Sequence, residues 1–462
     1  MAASMNITKH YYTPDLSRLK AIASEAPLLS PEQAQEILDR SEIPALSLPE
    51  VAGFVKAVLS NPVGKVTQLV LEKAVGLRRA LFSDAVVPMA PMEIANTCAS
   101  DCIFCGWRIS NSEMKRLRMP DDLILLQVEY LLDLGINYIE FVSGDDLVAV
   151  RQQLPRLLAR TKELFQARGV EGKTCFCTLA LTEKQYSELR DGGADAMIVW
   201  QETYDPDVFA RYVTDGPKAF GIRDDWTWDK SGNGWLFRYQ SQERALRAGL
   251  EVALGTMLGL NPDVTFEFLA TVDHARYLLD NYSLTPEHPL IIGMPIWNPI
   301  PTRTSDMRRS DLPDIEKLFP VFAALYLLSL PTPATWVFPN CRVPLTVQVE
   351  AARVAGAFTS TEVKLGPGGY LPSVIQKMEM QGKNTVALRK RLARLLREAG
   401  ENVDELARAL DEREQFVHHY HAHVAYLRAL ADAGLSVVSG VRIPEVAKNV
   451  CQSPDVVVCG EG

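Results

Sequence analysis

The sequence predicts a parallel α/β architecture, and within it a (β/α)8 TIM-type barrel with a helical N-terminal extension and a helical C-terminal cap. Three observations carry that expectation. Short apolar runs recur eight times between residues 91 and 375, amphipathic helical stretches separate them, and a segment of this length fits a barrel in which each strand feeds a helix or a turn. A doubly wound sheet is the competing arrangement.

Residues 1–90 read as the helical extension. "SPEQAQEILDRSE", "SLPEVAGFVKAVLSNP" and "VTQLVLEKAVGLRRALFSD" place apolar residues at helix spacing, and the first two carry Ser and Pro at their starts. From "PMEI" onward the pattern changes. Strands are expected at 92–95, 138–142, 174–180, 196–200, 251–257, 290–295, 335–338 and 355–358. Helical stretches such as "LILLQVEYLLDLG", "LPRLLARTKELFQARG" and "DIEKLFPVFAALYLLSL" lie between them. Residues 376–462 are charged and helical, as in "LRKRLARLLREAG", with charges spaced for exposed faces.

A formal charge of -9 argues against sequence-independent nucleic-acid binding, which needs a basic surface. A small-molecule substrate is the better expectation. The first residues lack an apolar core of the signal-peptide kind, and no run reaches the roughly 18 apolar residues of a membrane span. A cytoplasmic protein without a membrane partner is expected. Eight cysteines in such a chain point to thiols, metal ligands or redox chemistry rather than disulfides.

Three of the eight fall in "NTCASDCIFCGWR", where Cys98, Cys102 and Cys105 form C-x3-C-x2-C directly after the first expected strand. A structural zinc site wants four ligands, usually as two pairs, and no second pair follows at finger spacing. On a [4Fe-4S] cluster, three thiolates hold three irons and leave the fourth open to a small molecule.

This motif, with Phe104 just before its last cysteine, resembles the cluster motif of the radical S-adenosylmethionine (SAM) superfamily. "QETYDPDVFARY", "GPKAF", "RALRAGL", "LGTMLGL" and "LGPGGY" are similar to segments of one branch of it. That branch contains the tyrosine lyase of thiamine biosynthesis, the tryptophan lyase of thiopeptide biosynthesis and the [FeFe]-hydrogenase maturation enzymes. The resemblance implies a [4Fe-4S] cluster on Cys98, Cys102 and Cys105, with SAM chelated at its free iron. Its backbone at Phe104 would face the adenine. "SGDD" stands where the superfamily often has Gly-Gly-Glu, so Ser143, Gly144 and Asp145 would meet the methionine amino group. Glu202 and Arg238, with Arg244 as the alternate to Arg238, would serve the two charged ends of SAM. In "LGTMLGL", Gly255 and Gly259 would permit close backbone approach, with Met257 against the adenine.

The implied reaction is hydrogen abstraction by a 5'-deoxyadenosyl radical from a small amino-acid-like substrate, aromatic ones included, followed by carbon–carbon cleavage or rearrangement. An electron donor such as flavodoxin or ferredoxin would feed the cluster. Arg303, and after it Arg342, are the candidates for the substrate carboxylate; Trp297, Asn298, Asn340 and Glu362 are weaker ones. Biotin-synthase-like or methylornithine-synthase-like chemistry and a noncatalytic metal-binding scaffold remain alternatives. The loop "GIRDDWTWDKSGNGW" is either a lid or a surface insertion. Cys175 and Cys177 share a strand face, and His419 and His423 would lie one turn apart on a helix. Cys451 and Cys459 close the chain with a spacing that departs from the auxiliary-cluster tail of a maturase.

Overall fold

The computed structural model describes residues 11–40, 46–300, 302, 315–397 and 399–444. Eight parallel strands build the barrel: β1 (Ala85–Ala95), β2 (Tyr138–Ser143), β3 (Lys173–Cys177), β4 (Ala196–Ile198), β5 (Glu251–Leu254), β6 (Leu290–Gly293), β7 (Thr335–Phe338) and β8 (Phe358–Ser360). Their order is β7-β6-β5-β4-β3-β2-β1-β8, and a parallel bridge from Val337 to Gly356 joins the ends into a ring. All but one of the strand residues in β1 and β2 are buried, as parallel strands with a packed lumen and a helical coat require.

β3 to β6 end at 177, 198, 254 and 293, short of the ends expected from the sequence, and two further strands differ at their starts. β1 begins at Ala85 rather than 92, because Pro88 and Pro91 sit inside it, in register with Thr359 and Glu140. A proline gives up a ladder hydrogen bond and normally argues against a central strand. β8 starts at Phe358, not 355, since residues 355–357 turn in from the preceding helix and Gly356 makes only the closing bridge.

Two of the N-terminal helices, Pro31–Asp39 and Leu48–Ser60, carry reciprocal caps. Ser30 and Ser47 each accept from the N3 backbone while Gln33 and Glu50 return the bond, and a proline occupies the first turn of each helix. Helix Leu48–Ser60 packs on Val264–Asn281, and Lys65–Phe82 packs on Ile315–Ser329 and Leu345–Val354. All of Ile315–Ser329 except Glu316 and Lys317 is buried, because this helix lies between the barrel and the extension. One continuous core therefore runs from Leu19 through the lumen. Arg78 fastens the extension to the barrel, donating to the carbonyls of Ala85 at 2.7 Å and Gly356 at 3.3 Å.

After helices Val386–Leu396 and Val403–Asp411 the chain crosses the barrel mouth at residues 413–419, and helix His423–Asp432 follows. A ninth strand, β9 (Ser436–Val437), then pairs with the start of β1, which the sequence pattern did not indicate. The segment thus runs from the mouth down the flank. Among the described residues no helix is long and apolar enough to cross a membrane.

Candidate active site

The C-terminal ends of the strands, where barrel enzymes build their sites, surround a cavity that opens to solvent. Cys98, Cys102 and Cys105 all line it. Their loop is held on three sides. Ala99 N–H donates to Asp145 O at 3.1 Å, which ties it to the end of β2. Asp101 and Ile103 N–H donate to Asp215 and Tyr212 at 2.9 Å each, and Cys102 bridges Val213 antiparallel. The guanidinium of Arg116 spans the loop from inside, donating to the carbonyls of Asn96, Trp107, Arg108 and Asn111.

Burial pushes all three thiols up from the usual cysteine range, so they stay neutral until a cationic centre takes them as thiolates. Sulfur acceptors are already served: Asp145 N–H reaches Cys98 Sγ at 3.4 Å, and Gln415 Nε2 reaches Cys105 Sγ at 3.1 Å. Among the described residues no three His, Cys, Asp or Glu side chains converge as one metal ion would need. Three thiols spread around one cavity suit a multi-iron cluster better than a zinc ion.

Beside the thiols sits a buried mixed-charge set. Glu202 Oε1 accepts from Lys218 Nζ at 2.5 Å and from Arg238 Nη2 at 3.2 Å. Burial pushes the Glu202 carboxyl up, but Lys218 and Arg238 outweigh it and hold the group below the usual range. Burial and Arg238 pull Lys218 down, yet the carboxylates of Glu202 and Asp145 keep its ammonium above its ordinary value. The same ammonium lies 5.6 Å from the centre of the Phe104 ring. Glu202 has φ +66°, a strained backbone for a non-glycine residue at the exit of a strand. Two buried oxygens facing the cavity, Glu202 Oε2 and Asp145 Oδ2, have no partner among the described residues. A ligand with an ammonium group, as SAM has, would satisfy them.

The structure brings Phe104, Ser143, Gly144, Asp145, Glu202, Arg238 and Met257 to the cavity wall. Arg244 lies outside it, donating to Leu181 O at 2.8 Å and stacking on Phe237. Gly255 is also off the wall. A Cβ there would stand 2.3 Å from Gly293 O, so its smallness serves the close approach of β5 and β6 rather than a cofactor. Gly144 is different: its Cβ would fall 2.5 Å from Thr97 O and 2.9 Å from Cys98 Cβ. Gly144→Ala is therefore expected to shift the cysteine loop, costing about 1–3 kcal/mol and lowering iron uptake. Thermal denaturation and iron analysis check this.

Arg303 lies outside the described residues, as do Cys451 and Cys459. Arg342 lines the cavity, donating to Ile296 O at 2.8 Å and stacking 4.2 Å over Phe416. Asn340 lines it too, while Trp297 packs edge-on to Tyr212, Asn298 holds the carbonyls of Arg342 and Val417, and Glu362 accepts from Tyr130 and the His423 backbone. The three-tryptophan loop contributes no wall. Residues 415–422 are not helical, so His419 and His423 do not share a helix face; His418 lines the cavity instead.

Sequence reasoning missed Lys218, Glu93, Glu140, Gln415 and His418. Lys218 stood inside the quoted "GPKAF", Glu93 inside "PMEI" and His418 inside the histidine cluster at 418–424; nothing local marks Glu140 or Gln415. Burial lifts the Glu93 carboxyl to about 8 and that of Glu140 to about 7. Both folded values exceed that of an unfolded glutamate, so the native chain keeps protons that the unfolded chain loses between about pH 4.5 and 8. Stability contributed by these two groups falls as pH rises across that window. Glu140→Gln is expected to remove on the order of 3 kcal/mol of that loss, read by urea denaturation of the metal-free protein at pH 5 and pH 8.5.

No protein-family model matches the chain. It is 25% identical over 345 residues to the 2-iminoacetate synthase of Escherichia coli, which spans 72% of this chain and 78% of that protein. Over 208 residues, 44% of this chain and 51% of the relative, it is 26% identical to the [FeFe] hydrogenase maturase subunit HydE of Thermotoga maritima. The structure of the FeFe-hydrogenase maturase HydG from Carboxydothermus hydrogenoformans superposes with a TM-score of 0.68 at 20% identity, covering 91% of this chain and 83% of that one. The barrel fold is shared with it.

Proposed function

We infer that this chain, a radical SAM enzyme allied to the aromatic amino-acid lyases, cleaves SAM reductively at a [4Fe-4S] cluster and turns the resulting radical on an amino-acid-like substrate. One observation carries the reading: three thiols and a buried set of two carboxylates, an ammonium and a guanidinium open on a single cavity at the strand ends of a barrel. When bound, the cluster supplies the electron that splits SAM into methionine and a 5'-deoxyadenosyl radical.

The chain's own residues do the rest. Cys98, Cys102 and Cys105 hold the cluster. Asp145 and Glu202 offer their free oxygens to the SAM ammonium, and Arg238 stands ready for its carboxylate. Phe104 and Met257 wall the nucleoside side. On the rest of the wall, Trp200 and Phe338 give an apolar surface while Glu140, Thr178, Asn340 and Arg342 give polar contacts, with Arg342 the cation for a substrate carboxylate. Six free cysteines among the described residues fit a reducing compartment, and a one-electron protein such as flavodoxin or ferredoxin fits as reductant.

The test is anaerobic. Reconstituted, dithionite-reduced protein with SAM is expected to form 5'-deoxyadenosine, faster with one member of an amino-acid panel that includes tyrosine and tryptophan. A fully loaded cluster that yields no deoxyadenosine would overturn the reading.

A further inference from the structure

We propose that Gln415 is a positioning residue of the cluster site: its side-chain amide donates to the sulfur of Cys105 and raises the potential at which the cluster takes up its electron. The proposal rests on the radical SAM reading above. Gln415 Nε2 lies 3.1 Å from Cys105 Sγ, and the residue lines the cavity.

Its backbone leaves it little freedom to move away. Gly106 N–H donates to Gln415 O at 3.2 Å, and a Cβ on Gly106 would stand 2.5 Å from that oxygen, so only glycine after Cys105 allows the approach. Two residues earlier, Arg413 O accepts from Trp107 Nε1 at 2.9 Å and Asn96 Nδ2 at 3.1 Å. Two and four residues later, Val417 N–H donates to Pro299 O at 2.8 Å and His419 N–H to Cys341 O at 3.0 Å. The segment is pinned to the cysteine loop on one side and to the β6 and β7 exits on the other. The amide is thus presented to the sulfur rather than to solvent.

The sign follows from charge. One electron enters from an external one-electron donor, and no bond or proton changes place. The added charge spreads over the sulfurs, so an N–H aimed at one of them stabilises the reduced form more than the oxidised form. Outer hydrogen bonds of this kind are known to tune ligated metals. Cys98 receives its bond from the Asp145 backbone, which no side-chain change removes; Cys105 is served by the Trp107 backbone and, in addition, by a side-chain amide that substitution can take away.

Wild type, Gln415→Leu and Gln415→Asn are reconstituted, assayed for iron and sulfide, and titrated against mediators with the reduced cluster read by EPR. Asparagine retracts the N–H by one methylene while keeping the residue polar, and decides the matter if the leucine variant folds or loads poorly. Both variants are expected to load a cluster and to hold about tenfold less of it reduced at a fixed poise, a midpoint about 59 mV more negative for a one-electron couple. Loaded variants that titrate at the wild-type midpoint overturn the role of Gln415 and leave the radical SAM reading standing. A wild-type chain that takes up no iron and sulfide overturns both.

Discussion

Cys102→Ala yields a folded chain that has lost its iron. Cys102 is 5% exposed, and trimming its sulfur from the small cluster of Phe104, Trp107, Phe209 and Val213 costs little packing, on the order of 1 kcal/mol. The donor set suffers far more. Three thiolates leave one iron open by design; two would leave a pair of irons without protein ligands in a buried cavity. Loss of a mere outer-shell partner costs roughly 10–100-fold in metal affinity, and loss of a ligand costs more. Reconstituted Cys102→Ala should carry less than about a tenth of the wild-type iron and sulfide and form no measurable 5'-deoxyadenosine, with a circular-dichroism spectrum like the parent's. Retention of a full cluster would point to ligands other than these three.

Glu202→Gln is expected to lose both stability and SAM cleavage, and the two losses can be separated. Glutamine keeps the shape and the strained backbone but removes the charge between Lys218 and Arg238, whose side chains are 12% and 7% exposed. Breaking a buried ion pair by removing one partner costs about 3–5 kcal/mol, because the orphaned cations stay desolvated. Adding Lys218→Met removes one orphan and should recover a large part of that stability, since groups in one network are not additive. It should not recover SAM cleavage, which needs the free Glu202 oxygen. Equilibrium urea curves give the first quantity and deoxyadenosine yield the second; a double variant with wild-type cleavage would reduce Glu202 to a counter-ion.

The cysteine loop was legible because its chemistry is local: three thiols within eight positions, after an apolar run. Asp145, Glu202 and Met257 were named through the family resemblance of their segments, and these segments follow parallel barrel strands, whose ends share one face. Gly255 misled because a glycine reports only that something comes close. Here the neighbour is the backbone of Gly293, across the sheet and outside the window that periodicity scans. The first half of β1 was hidden by its own prolines. Lys218 reaches the thiols through pairing of residues 212–218 with the cysteine loop, and Gln415 does so from 310 positions away. Contacts at such separation follow from tertiary packing, and no spacing rule encodes them.

That separation bears on synthesis. The cysteines and most of the barrel leave the ribosome well before residues 413–419, which form the last wall of the cavity, and before β9 seals the opposite end against β1. A domain made N-terminus first passes through an interval in which the thiol loop exists while its roof does not. Pulsed thiol labelling of nascent chains would show the three cysteines protected only once the segment carrying Gln415 has emerged. Order of manufacture thus leaves the thiol loop uncovered for a time before residues 413–419 cross it.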